Sequence, residues 1–213
     1  MKKAFIVAAV AVALTIPCAL ASAGEVHEAA KAGDVAKLKE LLDKDPGLLY
    51  VLDDQGKTPL HWAVGRGQPE AMKLLLDTYH VNVDVRNKND GTPLHVAASQ
   101  AQPEAATILI QHGAQVNARQ KNGATPLHFA AFKGGKPGHM QTARILLEHG
   151  ADVNAETDSG ITPLSMAMSR QNTEMISLLR QHGARAGKQM RQGQGGGMRS
   201  RQSGTNMNMD MGD

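Results

Sequence analysis

Thr58-Pro59-Leu60-His61, Thr92-Pro93-Leu94-His95 and Thr125-Pro126-Leu127-His128 are three copies of one string, and Thr162-Pro163-Leu164-Ser165 is a fourth with Ser in the last place. The spacings are 34, 33 and 37 residues, and His27, 34 residues before His61, marks a degenerate first copy. Small residues follow each string: Ala63, then Ala97 and Ala98, then Ala130 and Ala131, then Ala167. Aliphatic pairs come next, at Leu74-Leu75-Leu76, Leu109-Ile110, Leu146-Leu147 and Leu178-Leu179, with Leu41-Leu42 in the first copy. Gly-Ala follows at Gly113, Gly150 and Gly183. Val83-Asp84, Val116-Asn117 and Val153-Asn154 precede the next Thr at a constant distance.

Physical chemistry assigns these residues places. Thr is a good N-cap, and Pro at the first helical position lacks the N–H that would have no partner there. The His is placed to hydrogen-bond loop backbone between neighbouring repeats. The Ala pair lets a second helix approach closely. That helix opens with proline at Gln68-Pro69-Glu70 and Gln102-Pro103-Glu104, and Asp34 is the expected cap in the first copy. A left-handed residue is expected to close it at Gly113, Gly150 and Gly183. Gly56, Gly91, Gly123 and Gly160 are expected to serve the turn of a projecting finger.

The order and period of these motifs resemble the ankyrin repeat. The resemblance covers residues 24–184 and implies an all-α solenoid, each unit a helix-turn-helix followed by a β-hairpin-like finger. One unit cannot bury its apolar face alone, and stacking makes a continuous core. The expected units are 24–55 (an N-terminal cap lacking Thr-Pro-Leu), 56–89, 90–122, 123–159 and 160–184 (a more polar C-terminal cap with Ser165, Met166, Met168, Arg170 and Arg180). The 123–159 unit has about four extra residues around Lys133-Gly134-Gly135-Lys136-Pro137, expected to lengthen the turn between its helices.

The ends read differently. In 1–23, Lys2 and Lys3 precede an apolar run from Ala4 to Ile16, Pro17 breaks it, and Ala21-Ser22-Ala23 offers small residues for cleavage. That pattern is a secretory signal peptide, too short for a comfortable span and without a basic stop. A lipid-anchored reading through Cys18 is disfavoured by Pro17 and Thr15. Cleavage removes the single Cys, and with it disulfides and thiol chemistry. The segment 185–213 is rich in Gly, Gln, Arg, Met, Ser and Asn, has no Leu, Ile, Val or aromatic, and is expected to be disordered. Of the net +3, the tail carries +3 and the first lysines +2, leaving the repeats at −2. The pI near 9.0 comes from the ends.

Nine histidines in an exported chain raise a metal site. His61, His95 and His128 fill the motif place, His112, His149 and His182 precede the Gly-Ala, and His139 follows Gly138 ahead of the second helix. Zinc needs three or four converging ligands, whereas stacked helices hold equivalent residues about 10 Å apart. These histidines are read as structural, with no metal and no cofactor expected. No Gly-x-Ser-x-Gly elbow, phosphate loop or His-Glu-x-x-His string occurs, so no enzyme is expected.

In the resembled family, binding runs along finger tips and the concave face of the first helices. Mapped here, the expected partner-binding residues are Asp54, Lys57, Arg66, Lys88, Asp90, Gln100, Lys121, Phe132, Lys133, Asp158 and Arg170. This surface is mixed in charge, suits a protein partner, and lacks the basic stripe with aromatics that nucleic acid needs. Trp62, Val96, Phe129 and Met166 follow the motif position and read either as a semi-buried inner stripe or as an aromatic hot spot. The equivalents of Phe132 are Ser99 and Ser169, so the scaffold does not require an aromatic there. The expected function is a monomeric protein-binding scaffold of the exported, periplasmic bacterial type, with no transmembrane anchor after signal cleavage. Alternatives are copper handling by Met207, Met209 and Met211, contact of Arg191, Arg199 and Arg201 with a membrane surface, or an exported effector that binds a host protein.

Overall fold

A computed structural model describes residues 16–133, 135–185 and 187, with side chains from Ala23 onward. The apolar start of the expected signal peptide and the tail methionines and arginines lie outside the described residues. The described chain forms ten α-helices: α1 Ile16–Ala32, α2 Val35–Lys44, α3 Pro59–Arg66, α4 Pro69–Lys73, α5 Pro93–Gln100, α6 Pro103–Gln111, α7 Pro126–Lys133, α8 Pro137–Glu148, α9 Pro163–Ser169 and α10 Thr173–Gln181. A 3-10 turn, Pro46–Tyr50, follows α2, and α4 continues into a π-helical turn, Leu74–Thr78.

These are five helix pairs, and the all-α solenoid expected from the sequence is what forms. The inner helices α1, α3, α5, α7 and α9 pack in that order, and the outer helices α2, α4, α6 and α8 pack in parallel sequence behind them. Leu60, Leu94 and Leu127 of the inner row are fully buried, as are Leu42, Leu75, Leu109, Leu146 and Leu179 of the outer row. Each contributes on the order of 2 kcal/mol by leaving water. Ala63, Ala97, Ala98, Ala130, Ala131 and Ala167 sit fully buried between the two rows, where a larger residue would push them apart. α1 runs across the expected cleavage point, and Val26, His27, Ala29 and Ala30 beyond it are buried.

The predicted caps form. Asp34 accepts the Lys37 N–H at 2.9 Å. Gly113, Gly150 and Gly183 close α6, α8 and α10 at φ +83°, +83° and +82°. The second unit has no such glycine. Its one extra residue is taken up by the π turn, the usual way a helix absorbs an insertion, and His80 takes the left-handed place at φ +50°.

Two expectations about loops are corrected. Gly56, Gly123 and Gly160 do hold the left-handed finger position, but in the third unit Asp90 holds it at φ +59° and Gly91 does not. The left-handed place is two residues before the motif Thr, and Gly91 is only one before Thr92. The insertion does little to the turn. α8 has 12 residues where α6 has 9, so most of the insertion became helix. Pro137, at the first position of α8, repeats the role of Pro69 and Pro103. His139 therefore lies inside α8, not ahead of it.

Candidate functional site

The histidines make the joints. In each of three units the motif Thr N–H donates to the His Nδ1, at 3.3 Å for Thr58–His61 and 3.1 Å for Thr92–His95 and Thr125–His128. A backbone N–H can only donate, so Nδ1 is the acceptor and Nε2 carries the proton. That Nε2–H donates to the next finger: His61 to the Gly91 carbonyl at 3.1 Å, His95 to Ala124 at 3.1 Å, His128 to Ile161 at 3.0 Å. The degenerate first copy keeps the outward half, with His27 Nε2 at 3.1 Å from the Val51 carbonyl. Burial pushes the His61 and His95 pKa values down to about 4 and lowers that of His128, because a charged imidazole is poorly solvated there. The geometry agrees, since a proton on Nδ1 would face the Thr N–H. Among the described residues no three His, Cys, Asp or Glu side chains converge on a metal-sized site.

A second set of joints went unread in the sequence. Gln68 Nε2 donates to the Lys31 carbonyl at 3.2 Å, and Gln102 Nε2 to the Gly65 carbonyl at 3.4 Å. In the fourth unit the equivalent carbonyl is that of Ser99, and His139 Nε2 reaches it at 3.3 Å. The longer α8 thus brings a histidine to a place that glutamine fills elsewhere. His139 is buried, and its Nδ1 has no hydrogen-bond partner. Gly138 makes this approach possible, as a Cβ there would sit 2.5 Å from the Ala101 carbonyl oxygen. The 34-residue recurrence of Gln68 and Gln102 was the available signal.

The fingers are stitched edge to edge. Lys88 Nζ donates to the Asp54 carbonyl, and Lys121 Nζ to the Lys88 carbonyl at 2.6 Å. Arg86 bridges the Asp90 and Arg119 carbonyls at 2.7 and 2.8 Å, and Arg119 reaches the Glu156 carbonyl at 2.9 Å and the Asp158 carboxylate at 3.1 Å. Of the expected tip residues, Asp54, Lys88, Lys121 and Asp158 are exposed, while Lys57 and Asp90 are half-buried. Lys88 and Lys121 among them are tied to neighbouring fingers, whereas the Lys57 Nζ lies over the Trp62 ring. Arg86 and Arg119, 33 residues apart, are contributors that the sequence reading passed over.

The concave face is different. Arg66, Gln100 and Lys133 end α3, α5 and α7, and Arg170 caps α9; all four are exposed. Trp62, Val96, Phe129 and Met166 form the half-buried inner stripe, and Phe129 meets the His95 ring edge-on at 5.7 Å. Trp62 gives its indole N–H to Asp53 at 2.7 Å and has Lys57 Nζ at 4.2 Å, Lys31 Nζ at 5.2 Å and the Arg66 guanidinium at 5.9 Å from its ring centre. Phe132 is 37% exposed, whereas Trp62 and Phe129 on the inner helices are half-buried, and the Arg170 guanidinium lies 3.9 Å from its ring centre. Phe132 lines two adjoining clefts. One, of about 660 Å³, is bounded by Lys133, Arg170 and Glu174. The other, of about 220 Å³, has Phe129 and Met166 in its walls.

No helix of the described residues is long and apolar enough to cross a membrane. No curated protein matches the chain. The family model described as ankyrin repeats (3 copies) matches residues 26–120 and again 117–190. With five helix pairs, joints made by the motif histidines and fingers in register, the chain belongs to the ankyrin-repeat family.

Proposed function

We propose that this protein is a non-enzymatic scaffold of the periplasm, exported by its N-terminal signal peptide, that binds another protein through its concave face and finger tips. Ankyrin repeats commonly mediate protein–protein interaction, which supports the class of function. The observation that carries the reading is Phe132. It is exposed at the mouth of two clefts, and the equivalent positions in neighbouring units are the small polar Ser99 and Ser169. Exposed aromatics in such settings are typical anchors of protein interfaces. The stack holds residues from several units in fixed relation, so little ordering entropy opposes binding. The monomer is the binding unit.

The test is a pull-down from a periplasmic extract with the mature chain, beside the triple variant Phe132→Ala, Arg66→Ala, Lys133→Ala. Prey lost by the variant, with its circular dichroism unchanged, supports the concave face. Equal recovery on both sinks it. Fractionation that finds the chain only with the cytoplasm would sink the location.

A further inference from the structure

The charges on this surface are sorted, not mixed. The acidic tip residues Asp54, Asp90 and Asp158 lie on the fingers, where Arg86, Lys88, Arg119 and Lys121 are tied to finger carbonyls or to Asp158. Behind them, the ends of the inner helices carry Arg66, Gln100, Lys133 and Arg170, with no acidic residue in the row. Arg66, Lys133 and Arg170 have no carboxylate within 4.0 Å among the described residues. A cation at a helix C-terminus complements the dipole, which accounts for where they sit. It does not account for the aromatic beside two of them, nor for Lys31, Lys57 and Arg66 gathering around one indole. The indole face attracts these cations, and like charges drawn together raise a positive potential that favours an approaching anion. Two acidic residues touch that cluster: Glu28 pairs with Lys31 at 2.9 Å, and Asp53 accepts the indole N–H with Oδ2 and the Gln55 and Lys57 N–H groups with Oδ1. Glu174 lies on the outer wall of the cleft beside Arg170.

We infer that the concave face takes an extended acidic protein segment, with carboxylates on Arg66, Lys133 and Arg170 and apolar side chains in the clefts beside Phe132. The inference rests on the concave face being the docking surface. Spacing sets the length. Packed helices lie about 10 Å apart, so Arg66 is about 20 Å from Lys133 and about 30 Å from Arg170. An extended chain advances about 3.3 Å per residue, so acidic groups about six and nine residues apart reach all three. Apolar side chains between them meet Phe129, Phe132 and Met166. Gln100, uncharged midway, asks for no carboxylate there.

The test is fluorescence anisotropy on the full mature chain with a labelled peptide of four Glu-Asp-Phe repeats. The controls are its Gln-Asn-Phe counterpart and a single-stranded oligonucleotide of equal charge. Saturable binding of the acidic peptide is expected, with the neutral peptide about tenfold weaker or more, a loss of about 1.4 kcal/mol. Arg66→Glu with Lys133→Glu should weaken the acidic peptide at least as much while leaving the melting curve in place, since both side chains are exposed. Equal affinity for the two peptides, indifference to the charge reversals, or oligonucleotide binding as tight as the acidic peptide overturns the acidic segment. If the peptide fails while the triple alanine variant still loses captured proteins, the concave face stands and only its acidic occupant falls. If capture is indifferent to that variant, the concave face itself falls.

Discussion

His95 and Lys133 lie on adjacent inner helices and obey opposite rules. His95 is buried, and its ring is held by Thr92 on one side and the Ala124 carbonyl on the other. His61 and His128 repeat this arrangement almost to the ångström. Further along the same helices, Arg66, Gln100 and Lys133 are exposed, differ in chemistry and have no fixed polar partner among the described residues. A joint transmits the stack from unit to unit, so every copy must answer the same carbonyl. The helix ends face outward, where a substitution costs the stack little and changes only what is recognised. In this molecule identical residues mark stability, and the variable ones form the surface proposed for binding.

Acid should break the joints and leave the concave row alone. An unfolded imidazole takes up a proton near pH 6.5, whereas His61 and His95 resist until about pH 4. The unfolded state therefore binds more protons in that window, and stability is whole above pH 6.5 and falls as pH drops towards 4. Each of the two histidines should contribute on the order of 3 kcal/mol to that loss, measured by urea unfolding across the range. His112 has the opposite sign. Its pKa is raised chiefly by the hydrogen bond to Asp77, so its small exposed contribution is lost as pH rises through its folded pKa. A flat stability profile from pH 7 to 4 would contradict the neutral joints.

Deleting one joint is the next largest effect. His95→Ala leaves the Ala124 carbonyl and the Thr92 N–H without their ring partner and opens a void in a packed stack. A loss of about 3 kcal/mol is expected in chemical denaturation. A loss below about 1 kcal/mol would mean water replaces the ring freely.

His139 sharpens the comparison from inside a joint. It meets the Ser99 carbonyl as Gln68 and Gln102 meet theirs, but leaves Nδ1 unpartnered in a buried place. His139→Gln should preserve the carbonyl bond and hold or raise stability by up to about 1 kcal/mol, whereas His139→Leu should lower it. Thermal melts separate the two. Equal melting of both variants would show that the Ser99 contact is idle.

On the concave side, Phe132→Ala should change stability by no more than about 0.5 kcal/mol, the range for exposed positions. The same change should weaken capture of the partner by about tenfold or more, as loss of a hot spot does. The smallest effect is in the fingers. Asp90→Gly relieves a non-glycine residue at φ +59° and should raise stability by about 0.5 kcal/mol.

Most of the fold was legible because its determinants are local and recur. Thr at the N-cap, Pro at the first position, Asp34 as cap and glycine at the left-handed closures act within one turn of helix, so spacing alone reveals them. The misreadings came where position relative to a neighbour matters more than residue type. Gly91 looks like a turn glycine until register gives the turn to Asp90. The Lys133–Pro137 insertion looks like loop until α8 is seen to extend over α5. The finger lysines look like binding residues, and only the adjacent fingers show where their ammonium groups go.

The sequence by itself determined the period, the starts of the helices at the repeated prolines and the apolar positions, because capping and burial follow from residues a few places apart. The tertiary stack alone decided which carbonyl each histidine answers and that His139 replaces a glutamine. It also decided that Arg86, Lys88, Arg119 and Lys121 are tied between fingers while Arg66, Lys133 and Arg170 stay exposed. Those outcomes depend on atoms about 30 residues distant in the chain and a few ångströms away in space, a relation that linear spacing does not carry.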